Sequence, residues 1–209
     1  MKLMCASAVI SLAFWAGAGF LQAAGQTGKA TGPATTATQA ETTAAQRYFT
    51  DTVLLNQNGE SVRFYSDLIK DRTVVINTFF TECVSVCPLL NRNMQAIQDW
   101  LGDRLNRDVL LLSISVDPAN DTPARIKEYS QHFHAKPGWL FLTGKKENVE
   151  FVLQKLGQKV ESRDDHSTVF IIGNDRTHLW KKAVGAAKTD QLIPVVESVV
   201  NDNPARERE

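Results

Sequence analysis

The chain has 209 residues, 43% of them hydrophobic, with 23 basic and 23 acidic side chains and a formal net charge of zero. That balance excludes a basic nucleic-acid surface and an acidic interaction tail as organising features. The length suits one globular domain with additional segments, and no internal repeat is visible.

Residues 1–24 carry one early charge, Lys2, then an apolar stretch through Phe20 and a small-residue end, Gln22-Ala-Ala-Gly. This is the layout of a secretory signal and predicts export to the bacterial periplasm. An apolar span of about 20 residues also fits a retained membrane anchor. Cys5 belongs to this apolar segment and lacks the context of a lipoprotein site. Its removal leaves two cysteines, which in an oxidising compartment compete with their own disulfide.

Residues 25–46 are almost wholly Ala, Thr, Gly and Gln, a composition that supplies no core and predicts a flexible tether. The folded domain is expected over 47–202, with a disordered tail at 203–209. It opens with a hairpin, 52–56 and 61–64, around the turn signal Asn58-Gly59. The run 73–80 (Thr-Val-Val-Ile-Asn-Thr-Phe-Phe) is β-branched and aromatic and predicts a strand buried on both faces.

That strand leads into Thr81-Glu-Cys-Val-Ser-Val-Cys-Pro88. Behind it Leu89, Leu90, Met94, Ile97 and Leu101 recur at helical spacing, with Gly102 as a stop signal and Pro88 in the first turn. Cys83 and Cys87 therefore lie at a strand-to-helix junction. A thiol there faces unpaired N–H groups and the positive end of the helix dipole, which favours its thiolate. With three residues between them the pair can form a disulfide or hold one soft metal ion.

A second buried strand is expected over 108–116, giving a parallel pair with a right-handed crossover at the sheet centre. Asp117 and Asp121 then read as turn and cap chemistry, with Thr122 and Pro123 starting a helix over 124–132. A short strand over 139–142 and a helix over 146–156 follow. Next come strands over 167–173 and 177–180 around Asn174-Asp175, and a helix over 190–200 closes the domain. His132 and His134 suit a helix end, His178 a hairpin surface, and Trp100, Trp139 and Trp180 the core or its cover. This order is that of an α/β domain with a thioredoxin-like fold: a central mixed sheet flanked by helices, an N-terminal β-hairpin extension, and an insertion around 117–145.

Four stretches carry a resemblance: Phe80-Thr-Glu-Cys-Val-Ser-Val-Cys-Pro88, Ser115-Val-Asp-Pro-Ala-Asn-Asp-Thr-Pro123, Pro137-Gly-Trp-Leu-Phe-Leu-Thr-Gly144 and Asp165-His-Ser167. In combination they resemble the Sco/SenC family of copper proteins. The resemblance implies one copper ion, Cu(I) or Cu(II), held by Cys83, Cys87 and His166. It also implies a metallochaperone that delivers copper to the binuclear copper site of a haem-copper (cytochrome c) oxidase, whose copper-containing subunit would be the partner. A copper donor or a thiol-disulfide partner would act upstream, and a monomer is the default state. The alternative is a thiol-disulfide reductase in which Cys83 and Cys87 act on the cysteines of a periplasmic copper protein. Peroxidase chemistry fits poorly, because Phe80 stands where such sites place a Thr. The family commonly has Pro-Asp after the first cysteine, whereas this chain has Val84-Ser85, so a carboxylate is absent there.

Overall fold

The computed structural model describes residues 43–203. The expected signal or anchor at 1–24, most of the tether at 25–46 and the tail from 204 lie outside them. Seven strands form one sheet: β1 (Val53–Asn56), β2 (Ser61–Arg63), β3 (Thr73–Phe79), β4 (Val109–Ser115), β5 (Trp139–Thr143), β6 (Val169–Asn174) and β7 (Leu179–Val184), in the order β2-β1-β5-β4-β3-β6-β7. β4 is parallel to both β3 and β5, while β6 is antiparallel to β3. The sheet is therefore mixed, with β3 and β4 at its centre.

Every residue of β3 and β4 is buried, because helices cover both faces. Val75, Phe79, Val109 and Leu111 face α2 (Cys87–Leu101), α3 (Pro123–Gln131) and α5 (Thr189–Val200). Their neighbours Val74, Ile76, Leu110, Leu112 and Ile114 face α4 (Lys146–Lys155) and the N-terminal elements. Alternation of period two thus fills two cores, and both faces being apolar removes the polar alternation from the sequence. Helix α2 packs Leu90, Met94, Ile97 and Leu101 into the first core, each such burial worth about 2 kcal/mol.

A buried polar chain fixes α2 over the sheet. Trp139 Nε1 donates to Ser113 Oγ (3.0 Å), which donates to Asn77 Oδ1 (2.6 Å); Asn77 Nδ2 donates to Asn91 Oδ1 (2.9 Å), and Asn91 Nδ2 to the Tyr129 hydroxyl (3.0 Å). Asn91 lies one turn after Cys87, so this chain sets the height at which the second cysteine enters the sheet edge.

Three departures from the sequence reading have local causes. A helix α1 (Ala44–Phe49) begins inside the stretch expected to be tether: the Thr43 hydroxyl caps Gln46 N, and Phe49 is buried beside Phe64 and Trp180. The second hairpin strand ends at Arg63, and residues Phe64–Ile69 wind into a π-helical turn that buries Phe64, Tyr65, Leu68 and Ile69. Strand β7 runs on to Val184, because Lys181 reaches Ser198 Oγ on α5 (2.7 Å) while Trp180 packs over the opposite face. Gly173, paired with Trp180, admits that ring: a Cβ at Gly173 would lie 2.3 Å from it. His178 falls in the turn before β7 with φ +58°, not in a strand. Among the described residues no helix is long and apolar enough to cross a membrane.

Candidate metal centre

The C-terminal ends of β3 and β4 and the N-terminal end of β6 meet at one edge, as the antiparallel pairing of β3 with β6 requires. Three loops converge there: the cysteine loop after β3, the Asp117–Asp121 turn after β4, and the short 3-10 turn Arg163–Asp165 that leads to His166. Thr78 Oγ1 donates to Ser167 O at 3.1 Å, holding the residue after His166 against β3.

Helix α2 starts at Cys87 with Val86 at the cap, whose side chain makes no capping hydrogen bond to the first N–H groups. Those donors are therefore free to face a thiolate. Cys87 is fully buried and Cys83 is 7% exposed; both are free thiols. His166 Nε2 lies 3.2 Å from Cys87 Sγ and 3.8 Å from Cys83 Sγ. The two sulfurs and the imidazole nitrogen lie within 4.8 Å of one another, and no other such group of three potential ligands occurs among the described residues. His132 and His134 lie at the far end of α3 and take no part.

The two thiols differ. Burial works against ionisation of Cys83, but hydrogen bonds with the Cys87 thiol, His166, the Cys87 backbone N–H and Ser85 outweigh it and bring its pKa down to about 6. Ser85 Oγ lies 3.6 Å from its sulfur. Burial pushes the Cys87 thiol up, and its contact with Cys83 pushes the same way. One thiolate and one protonated thiol share the site at neutral pH, with Val84, 93% exposed, at its mouth.

Asp121 does more than the turn chemistry read from sequence. Its buried carboxylate accepts hydrogen bonds from Thr81 N (3.2 Å), Thr81 Oγ1 (2.6 Å) and Ser115 Oγ (2.5 Å), tying the start of the cysteine loop to the end of β4. Asp117 does make the expected turn, accepting from Asn120 Nδ2, and also pairs with Arg163. Arg163 does not stand out in the sequence, because a lone Arg carries no motif, and nothing in the sequence shows that the Phe80 ring meets His166 edge-on at 5.5 Å.

The donor set of two sulfurs and one imidazole suits a soft or borderline ion. Comparisons with known proteins agree with this geometry. The family model SCO1/SenC matches residues 38–201. An SCO2-like protein of Rickettsia conorii is 33% identical over 132 residues, 62% of this chain and 62% of that protein. The match thus spans under two thirds of that relative's length. Among solved structures, BsSco, described as a member of the Sco family of cytochrome c oxidase assembly proteins with a disulfide switch, is 28% identical. It aligns with a TM-score of 0.59 over 72% of this chain and 92% of its own. Arabidopsis thaliana ScoI with copper bound is 26% identical, with a TM-score of 0.57 over 71% and 93% of the two chains. With a thioredoxin-like sheet, a dithiol at its edge and a family match that runs through all seven strands to residue 201, the chain belongs to the SCO1/SenC family.

Proposed function

We propose that the protein is a metallochaperone that binds one copper ion as cargo at Cys83, Cys87 and His166 and delivers it to the binuclear copper site of a haem-copper oxidase. The observation that carries this reading is the convergence of two sulfurs and one imidazole nitrogen within 4.8 Å of one another, all three on buried residues. Thiolates favour Cu(I), and the added imidazole provides a third ligand suited to Cu(II), so one site can hold either state and release it to a partner. Oxidase assembly is supported by what BsSco is described as doing, and copper by the copper-bound Arabidopsis relative. Residues 1–24 would place the domain in the periplasm, as a cleaved signal or an anchor, and the stretch before α1 would let it reach a membrane-bound partner.

The test is the copper content and visible spectrum of the reduced protein. Near-equimolar Cu(II) with a thiolate charge-transfer band is expected, and the band should collapse in His166→Ala. Full copper retention after Cys83→Ala, Cys87→Ala and His166→Ala together would overturn the assignment.

A second reading draws on the unequal thiols. The Cys83 thiolate can attack a partner disulfide to form a mixed disulfide; Cys87, losing its proton, then displaces the second partner thiol and closes the Cys83–Cys87 disulfide. One partner disulfide is reduced to two thiols as this pair is oxidised. Such a reductase needs no histidine, so His166→Ala should leave it active while both cysteine variants are inert.

A further inference from the structure

We propose that Arg163 is a positioning residue for His166, an ionic latch that holds the histidine turn closed over the two thiols. The inference rests on the copper reading above and concerns the residues that keep its third ligand in place.

Arg163 opens the turn that delivers the histidine, and its carbonyl accepts the His166 N–H at 3.2 Å. Its guanidinium contacts two carboxylates from the two other loops: Glu82 Oε2 at 3.1 Å, adjacent in sequence to Cys83, and Asp117 Oδ2 in the turn after β4. Glu82 is paired in turn with Arg125 at 3.1 Å, so four side chains of alternating charge cross the edge of the site. The Arg163 guanidinium also lies 5.1 Å from the centre of the Phe80 ring, the ring that meets the His166 imidazole edge-on. One side chain thus touches a residue of each neighbouring loop and the aromatic group that packs on the ligand.

An isolated exposed ion pair contributes little. Here Asp117 is only 12% exposed at its side chain, and one guanidinium nitrogen, Nη1, meets both carboxylates. The turn has few other side-chain ties, the strongest being Thr78 Oγ1 to Ser167 O at 3.1 Å just beyond the histidine. Ser162 Oγ meets Asp164 N at 3.4 Å, and His166 Nδ1 lies 3.4 Å from its neighbour's carbonyl. The thiols, by contrast, have ties of their own besides the Glu82 contact: Cys87 lies in α2, the Asp121 carboxylate holds Thr81, and Glu82 keeps its pair with Arg125. Releasing the latch should loosen the imidazole and leave the dithiol in place.

The experiment uses the full chain with Arg163→Gln, Arg163→Lys, His166→Ala and the Arg163→Gln/His166→Ala double variant. Arg163→Gln should weaken Cu(II) about 10-fold, the usual effect of losing a group that orients a ligand. It should weaken the Cu(II) charge-transfer band and leave Cu(I) affinity within about threefold. Arg163→Lys should fall between wild type and Arg163→Gln. The double variant should bind Cu(II) no more weakly than His166→Ala, because the latch acts only through the imidazole. Fully additive losses, or equal losses for the two oxidation states, would overturn the proposal. Should His166→Ala leave Cu(II) binding unchanged, the copper-site reading fails, and amide exchange of the metal-free protein decides the latch alone. Exchange across 162–168 should then be faster in Arg163→Gln, and unchanged exchange overturns the latch.

Discussion

At one end of the central strands the buried Asp121 carboxylate joins Thr81 to Ser115; at the other, the buried Asp175 carboxylate accepts from the Tyr65 hydroxyl (3.3 Å) and Asp71 N (3.0 Å). The Asp175 backbone N–H completes that second tie by donating to Arg72 O at 3.0 Å. The chemistry is the same at both ends: a carboxylate out of water, satisfied by backbone and hydroxyl donors. What the tethered loops carry differs. The Asp175 end joins turns with no reactive side chain, whereas the Asp121 end joins the segment leading to Cys83 to the strand whose loop pairs with Arg163. The contrast separates a bond that only stabilises the fold from one that also sets the geometry of the thiols.

The largest effect expected from this contrast is that of Asp121→Ala. It leaves the buried Ser115 hydroxyl and two part-buried Thr81 donors without an acceptor and should cost about 3 kcal/mol in urea unfolding of the reduced protein. Copper binding should weaken with it, because Thr81 is two residues from Cys83. A variant that loses the stability but keeps an unchanged copper spectrum would break the comparison. Asp175→Ala should cost about 2 kcal/mol, with one strong donor fewer, and leave the copper spectrum alone. A smaller loss, about 1 to 2 kcal/mol, is expected for Gly173→Ala, whose methyl must displace the Trp180 ring. A shift in Trp fluorescence and a lowered unfolding midpoint would show it, again with no change at the thiols.

The sequence displays one of these two kinds of information well. Strands β3 and β4 are legible because a strand covered on both faces is apolar without interruption, and α2 because its core positions recur every three or four residues. His166 is singled out in the sequence by the family resemblance, and the fold brings it beside the cysteines because β6, antiparallel to β3, begins where β3 ends. The polar ties are not legible. Asp121 bonds to residues 40 positions before it, and Arg163 to residues 46 and 81 positions before it. Nothing in a Ser-Arg-Asp-Asp run distinguishes a bridging arginine from a solvated one. Helix α1 is hidden for a related reason: its first half, Ala44-Ala-Gln46, continues the composition of the tether, and the Thr43 cap with the burial of Phe49 against the folded domain holds it as a helix.

The smallest effect expected at the site end concerns Cys83 itself. With its pKa at about 6 and that of Cys87 raised, iodoacetamide should modify Cys83 first, at half its maximal rate near pH 6, while Cys87 stays unmodified until alkaline pH. The same asymmetry fixes a sign for stability. Between pH 6 and the ordinary thiol pKa of about 8.5, the folded chain has released a Cys83 proton that the unfolded chain still holds. This contribution therefore grows as pH rises through that window and is lost as pH falls through 6. Above it Cys87 acts in the opposite sense, since the unfolded chain ionises a thiol that the folded chain keeps protonated. The thiol part of the stability of the reduced protein should accordingly peak near pH 8.5, about where an unperturbed thiol titrates. Ser85→Ala removes only the last and weakest of the contacts that lower Cys83 and should raise the alkylation midpoint by a few tenths of a pH unit. If the midpoint does not move, the thiolate is held by Cys87 and His166 alone, and the Val84-Ser85 pair serves only to set the length of the loop.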